Sequence, residues 1–421
     1  MRLSSRGARI GAIAVAMVVV AEGAVWLLRP ADPGVEPETV SEGDYFDAAQ
    51  IERARDYRSG QRWLLVAGIG AQGAVLVALA LGRPRFAREA LERVGVRPVL
   101  GAAAAGAGLS VTLALVALPP DVWAHERSVD AGLSTQSLGA WFGDVAKSVG
   151  ISALLAAVGA ALLIALMRRF GSRWWVPGAA GVVAVAAIFS WLAPVVLAPI
   201  FNRFEPLPEA SEARAEVLEL GREGGVDIGE VYSVDASRRS NALNAYVGGL
   251  GPTKRVVLYD TLLDRAQAGE LRSVVAHELG HVSNNDIPRG IGFIAIVAPL
   301  GLLFVREVGD GLAKRSGAAP RTAAALPGYV LGIALASFVI NVPGNQLSRA
   351  VERSADSYAL ELTADPRALI ELQQRLTADN VSDPDPPDAV TFLLGTHPPA
   401  VERIGAALAY ERNDSTVGSS P

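Results

Sequence analysis

Apolar residues fall along this chain in long unbroken blocks, not at the helical or alternating spacing of a soluble domain. A bilayer core of about 30 Å needs about 20 apolar residues in a helix. Seven stretches reach or approach that length: residues 10–28, 63–81, 99–118, 148–167, 174–200, 291–305 and 323–342. The sixth is short unless Gly290 and the residues before it join in. The fifth carries Pro194 and Pro199, which predicts a kink or an unwound turn at its end. The first admits two readings. Arg2, Arg6 and Arg9 ahead of an apolar run with small residues at 21–24 describe a secretory signal as well as a span. Glu22 inside that run is expected to face other helices, not lipid.

Two stretches break the pattern. Residues 201–290 read as a soluble insert: a polar helix over 211–224, then short strands at Glu230–Val234, Ala245–Gly248 and Arg255–Tyr259. The run GGLGPT (248–253) is read as the turn between the last two strands. It lacks the spacing of a phosphate-cradling GxxxxGK[ST] loop. From 343 the chain is polar again. A helix is expected from Gln346 through Thr363, Asp365-Pro366 opens another, SDPDPPD (382–388) is a rigid acidic loop, and the last ten residues are expected to fray. The expected organisation is a membrane domain of five spans (1–200), a catalytic insert (201–290), two further spans (291–342), a C-terminal catalytic segment (343–410) and a disordered tail (411–421).

Composition sharpens this picture. With 51% hydrophobic and 19% charged residues, arranged in blocks, the chain is an α-helical polytopic membrane protein whose partner is the lipid bilayer. A net charge of −5 and the lack of any basic block interleaved with aromatics exclude nucleic acid as a partner. Without cysteine there are no disulfides and no thiolates, so any metal must be held by histidine and carboxylates. Arginine greatly outnumbers lysine, which occurs only at 147, 254 and 314. This is read as the codon bias of a GC-rich bacterial genome, and hence as a protein of the bacterial cell membrane.

The candidate chemistry lies in VVAHELGHVSNND (274–286), which holds two of the four histidines. At i and i+4 of a helix, His277 and His281 share a face and can present two imidazoles to one ion. Glu278, one position on, can reach a water on that ion without ligating it. This is the H-E-x-x-H arrangement, in which zinc lowers the water's pKa and the glutamate takes its proton. Glycine inside a helix costs about 1 kcal/mol relative to alanine, so Gly280 signals that something packs closely there. A catalytic zinc also needs a third protein ligand and one open position. Asn284 and Ile287 exclude the metzincin extension, leaving His125, His397 or a carboxylate.

The motif precedes span six, so its partner should follow span seven, which returns the chain to the same side. There stands LSRAVERSADSYAL (347–360), with Glu352 and Asp356 four apart on one helix face. Both could be solvated helix charges, but the need for a third donor favours Glu352. His397, in GTHPPAVERI (395–404), is either a surface capping residue or a donor to a tetrahedral oxyanion, with Arg403 as a structural or electrostatic support. His125 is read as a structural residue in a loop between spans three and four.

Taken together, HELGH, two spans, ERSAD and THPPAVERI resemble the M48 metallopeptidases of the Ste24, or CAAX prenyl protease, type. PIFNRFEPLP (199–208), SNALNAYVGGLGPTKRVVLYDTLL (240–263) and HERSVDAGLSTQSLGAWFGDVAKS (125–148) are similar as well. The resemblance implies one Zn²⁺ on His277, His281 and Glu352, with Glu278 as base, Asp356 beside the site as a supporting or proton-donating residue, and His397 at the oxyanion. It implies that Asn244, Ala245 and Tyr246 form an edge strand holding substrate backbone. Arg403 is also expected among the substrate-binding residues. It implies a helical barrel enclosing a water-filled chamber, joined to a zincin-type α+β lobe with a small β-sheet. HVSNND is closer to general bacterial members than to the eukaryotic prenyl protease, so peptide or membrane-protein substrates, including misfolded ones, are expected. A hydrolase of non-peptide amides and a non-catalytic receptor or scaffold with structural zinc are the alternatives; Glu278 argues against the latter. Two indications of orientation oppose each other. Arg83, Arg85, Arg88, Arg93, Arg97, Arg168, Arg169 and Arg173 lie in short loops on the N-terminal side, which the positive-inside rule places in the cytoplasm. The resemblance instead implies a cytosolic catalytic lobe.

Overall fold

The computed structural model describes residues 5–31, 34–82, 84–249 and 254–417. Seven of its helices are long and apolar enough to cross a membrane. The first five spans come from α1 (Ser5–Leu28), α2 (Ala48–Ala80), α4 (Pro98–Asp130), α5 (Leu138–Phe170) and α6 (Trp175–Leu192), with the short, non-spanning α3 (Arg85–Val94) between α2 and α4. The fifth span continues from α6 through a π-helical turn, Ala193–Leu197, into α7 (Ala198–Phe201). Pro194 lacks an N–H and would clash with the carbonyl one turn back, and the wider turn relieves that clash.

The polar lobe follows: β1 (Phe204–Pro206), α8 (Glu212–Glu223), β2 (Glu230–Val234), β3 (Ala245–Gly248), β4 (Arg255–Tyr259), α9 (Asp260–Arg265) and α10 (Ala268–Ser283). Then α11 (Asp286–Ser316) and α12 (Leu326–Thr363) carry the last two spans, and α13 (Pro366–Asp379), α14 (Asp388–Leu394) and α15 (Ala400–Val417) return to the lobe. The three expected strands have the expected bounds, and β1 joins them. Sheet order is β1-β2-β4-β3, with β2 and β4 parallel and the other pairs antiparallel. This leaves β3 at an edge. Of the expected turn at GGLGPT, Leu250–Thr253 lie outside the described residues.

Two apolar cores hold the molecule together. In the lobe, Val217 of α8, Val256 and Leu258 of β4, Val275 and Leu279 of α10, Leu360 of α12 and Leu372 of α13 pack into one cluster. Segments before span six and after span seven therefore share a single core, which docks α10 against α12. In the bundle, Met17 of α1 packs with Ile164, Met167, Trp174, Phe304 and Tyr329. Ala21 and Ala24 pack with Phe293 and Leu347. The first apolar segment is thus an integral helix of the bundle. Glu22 accepts a hydrogen bond from Gln346 of α12 at 3.0 Å, so it faces a neighbouring helix as expected.

Several boundaries differ from the sequence reading, each for a physical reason. Apolarity marks only the second half of α2, because the first half packs on the lobe: Arg58 donates to the carbonyls of Asn380 and Val381. His125 is not in a loop. α4 continues through Pro119 and Pro120, whose lost hydrogen bonds are outweighed by helix packing; a Cβ at Gly68 of α2 would lie 3.7 Å from the Pro120 ring. Pro343 lies within α12, so span seven and the expected ERSAD helix are one continuous rod. α15 continues to Val417, well into the expected tail, whose residues 418–421 lie outside the described part.

The basic loops gather at one end. Arg88 donates to the Ser316 carbonyl at 2.7 Å, Arg306 to that of Ser172 at 3.0 Å, and Arg6 and Arg9 flank Glu307. The polar lobe stands at the other end.

Candidate metal centre

Helix α10 is fixed at both ends. At its start Gln267 and Glu270 form a capping box, and the buried Glu270 also pairs with Arg375 of α13 at 2.7 Å. At its end Asn285 takes the left-handed conformation (φ 56°), which asparagine tolerates, and the chain turns directly into α11. Midway, Gly280 allows α12 to approach. A Cβ there would lie 3.1 Å from Ala355 Cα and 3.2 Å from its carbonyl oxygen. The close packing inferred from this glycine is therefore the crossing of α10 and α12.

That crossing brings three expected ligands together. His277 Nε2 and His281 Nε2 are 3.2 Å apart. Glu352 Oε2 lies 3.3 Å from His277 Nε2, and Oε1 lies 3.6 Å from His281 Nε2. Their ligand atoms all fall within 4.8 Å of one another. Each imidazole has a carboxylate on its far side: His277 Nδ1 is 2.8 Å from Asp356 and His281 Nδ1 is 3.0 Å from Asp286. With both Nδ1–H groups facing acceptors, both Nε2 lone pairs point at each other and at Glu352. Glu352 Oε2 is buried without a hydrogen-bond partner. Three donors converging in this way form a group that could hold a metal ion.

The other expected residues are arranged around this group. Glu278 faces the cavity and accepts a hydrogen bond from the Val247 amide of β3 at 3.3 Å; desolvation in the cavity wall pushes its carboxyl above the ordinary value. Both oxygens of Asp356 are engaged by Arg403, at 2.8 and 2.5 Å, so that guanidinium braces Asp356 against His277. His397 is exposed, with Nε2 3.4 Å from Glu352 Oε1. His277, Glu278, His397, Arg403 and Asn244 line one cavity of about 520 Å³. Ala245 and Tyr246 follow Asn244 into the edge strand without forming part of that wall. His125 stacks on Trp141, with ring centroids 4.9 Å apart, and does not belong to the metal group.

Sequence reading missed Asp286 and Arg289. Arg289 donates to Asp286 at 3.1 Å and to the carbonyls of Asn284 and Leu28, the last at the end of α1. The signal was present as an Asn-Asn turn followed by Asp, five positions after the second histidine.

Residues 209–411 match the model of peptidase family M48, and residues 36–203 match that of the CAAX prenyl protease N-terminal region with five membrane helices. The chain is 32% identical over 305 residues, 70% of each chain, to the uncharacterized metalloprotease YhfN of Bacillus subtilis (strain 168). The chain belongs to peptidase family M48. A CAAX prenyl protease 1 homolog of Oryza sativa subsp. japonica is 29% identical over 295 residues, 65% of each chain. The crystal structure of S. mikatae Ste24p shares the fold of this M48 peptidase with a TM-score of 0.78. It covers 96% of this chain and 100% of that one at 19% identity. The M48 peptidase is therefore a multi-pass membrane metallopeptidase. Its family implies a metal, and His277, His281 and Glu352 are the group that could hold it.

Proposed function

We propose that the chain is a zinc-dependent endopeptidase of the bacterial cell membrane, cleaving membrane-associated or misfolded proteins in a chamber bounded by the helices. The observation that carries this reading is the convergence of His277 Nε2, His281 Nε2 and the orphaned Glu352 Oε2 beside a cavity-facing glutamate. These three residues would hold the zinc, a borderline-soft ion suited to imidazole and carboxylate. Bound there, it would supply Lewis acidity to a water and to the scissile carbonyl.

The remaining steps belong to side chains. Glu278 takes the water's proton and passes it to the leaving amine, and its raised pKa suits both halves of that transfer. His397 donates to the carbonyl oxygen as negative charge develops. Asp356, braced by Arg403, and Asp286 fix the two imidazoles in the ligating tautomer. Edge strand β3, with Asn244, Ala245 and Tyr246, pairs with extended substrate backbone. Residues 201–290 and 343–410 make up the catalytic lobe, and 1–200 and 291–342 the membrane part. A purely structural zinc site would have no use for Glu278. The likeness to Ste24p in fold supports the chamber, and the bacterial relative supports the compartment.

The test is metal stoichiometry. Purified wild type should hold one zinc per chain and Glu352→Ala close to none. Full occupancy in Glu352→Ala overturns the ligand assignment.

A further inference from the structure

Four arginines stand along the first half of α2, of which Arg53 donates to the Ala131 carbonyl. Arg55 is paired with Glu42 and Asp383. Arg58 is committed to the loop after α13, through the carbonyls of Asn380 and Val381 and the Ser382 hydroxyl. Arg62, one turn further on, has no hydrogen bond or ion pair among the described residues. Its side chain is half-buried and forms part of the same cavity wall as His277, Glu278 and His397.

The other charges in that wall are already engaged. Asp383 belongs to Arg55, Arg403 to Asp356, and Glu278 to the Val247 amide. Much of the remaining wall is apolar, with Leu243, Val274, Leu376, Val390 and Leu394. A cation set in such a wall is unfavourable without a partner, and Arg58 at i−4 adds like-charge repulsion. Among the described residues no carboxylate pairs with Arg62, so its counter-charge is left to whatever fills the cavity. The planar guanidinium fork suits a carboxylate in particular.

We propose that Arg62 is a specificity-determining residue that pairs with a carboxylate of the bound peptide, either an Asp or Glu side chain or a free C-terminus. The proposal rests on the cavity being the peptide site. It brings the N-terminal membrane part, through α2, into substrate selection.

Binding separates this idea from catalysis. The Glu278→Gln protein, zinc-loaded in detergent, is titrated with one apolar peptide carrying a neutral fluorophore. The peptide is made in three forms: C-terminal amide, free C-terminal carboxylate, and amide with one internal Glu in place of Gln. The same titrations are run on Glu278→Gln/Arg62→Gln and Glu278→Gln/Arg62→Lys. A charge-assisted hydrogen bond corresponds to about 10-fold or more in Kd. One carboxylate peptide should therefore bind at least about 10-fold tighter than the neutral form, and which one does identifies the source. Arg62→Gln should abolish the preference while leaving neutral-peptide affinity and zinc content unchanged, and Arg62→Lys should keep part of it. Equal binding of all three peptides, an undiminished preference in Arg62→Gln, or loss of zinc in that variant overturns the proposal. Cleavage by the wild type is scored separately: charge-selective binding without hydrolysis counts against the peptidase reading and leaves Arg62's role standing.

Discussion

Replacing Gly280 with alanine sets two opposed effects against each other. Alanine in a helix interior is favoured over glycine by about 1 kcal/mol. The added Cβ, however, would lie 3.1 Å from Ala355 Cα, 3.2 Å from the Ala355 carbonyl oxygen and 3.2 Å from Tyr358 Cβ. None of these atoms can swing aside, because each is fixed by the backbone of α12. The helices must separate by a few tenths of an ångström, and overpacking of this kind costs about 1–3 kcal/mol. Crowding should outweigh propensity, for a net loss of about 1 kcal/mol. The same separation carries Glu352 on α12 away from His277 and His281 on α10, so zinc affinity should fall several-fold along with stability. Denaturation of the zinc-free protein reads the first quantity, and competition with a chromophoric chelator reads the second. If Gly280→Ala is more stable than wild type with unchanged zinc affinity, the close α10–α12 crossing is not what builds the site.

Other consequences follow from the arrangement around the metal group and the ends of the bundle. Asp286→Asn leaves the shape intact but weakens the acceptor that orients His281, so zinc affinity should drop about 10- to 100-fold; chelator competition giving the wild-type value would remove Asp286 from the site. Arg403→Met should loosen Asp356 and lower zinc affinity while wild-type neutral-peptide binding persists at saturating zinc. A variant that loses peptide binding at full zinc occupancy would place Arg403 on the substrate instead. Applied to the clustering of basic loops away from the lobe, the positive-inside rule predicts a cytoplasmic N-terminus. A phosphatase that works only outside the cytoplasm should be active when fused at the C-terminus, and activity confined to a cytoplasmic reporter would reverse that orientation.

Much of the site was legible because its chemistry is written in short patterns. His277, Glu278 and His281 lie within one helical turn, and Glu352 followed from the rule that two spans return the chain to the same side. Three lobe strands were legible too, because short β-branched and aromatic runs bounded by turn residues are a local signal; β1 was not. What escaped depended on partners distant in sequence. Asp286 reads as an ordinary first-turn helix carboxylate until the left-handed Asn285 folds it back onto His281. Arg403 was expected as a support near His397 and the substrate, but its partner Asp356 lies 47 residues away in sequence and was not legible. Pro119, Pro120 and Pro343 read as helix ends because local propensity says so, and only packing against neighbouring helices carries α4 and α12 through them. The first half of α2 carried no span signal because its lobe-facing residues are polar, and hydropathy cannot tell a helix that meets protein from one that ends.

The most direct test of the account is Glu278→Gln, with zinc content and peptide hydrolysis measured on the same detergent-solubilised preparation. Side-chain shape and the three ligands are unchanged by this substitution. The account predicts zinc at the wild-type stoichiometry with hydrolysis reduced at least about 100-fold, the typical weight of general acid–base catalysis. Hydrolysis at the wild-type rate with full zinc would contradict it.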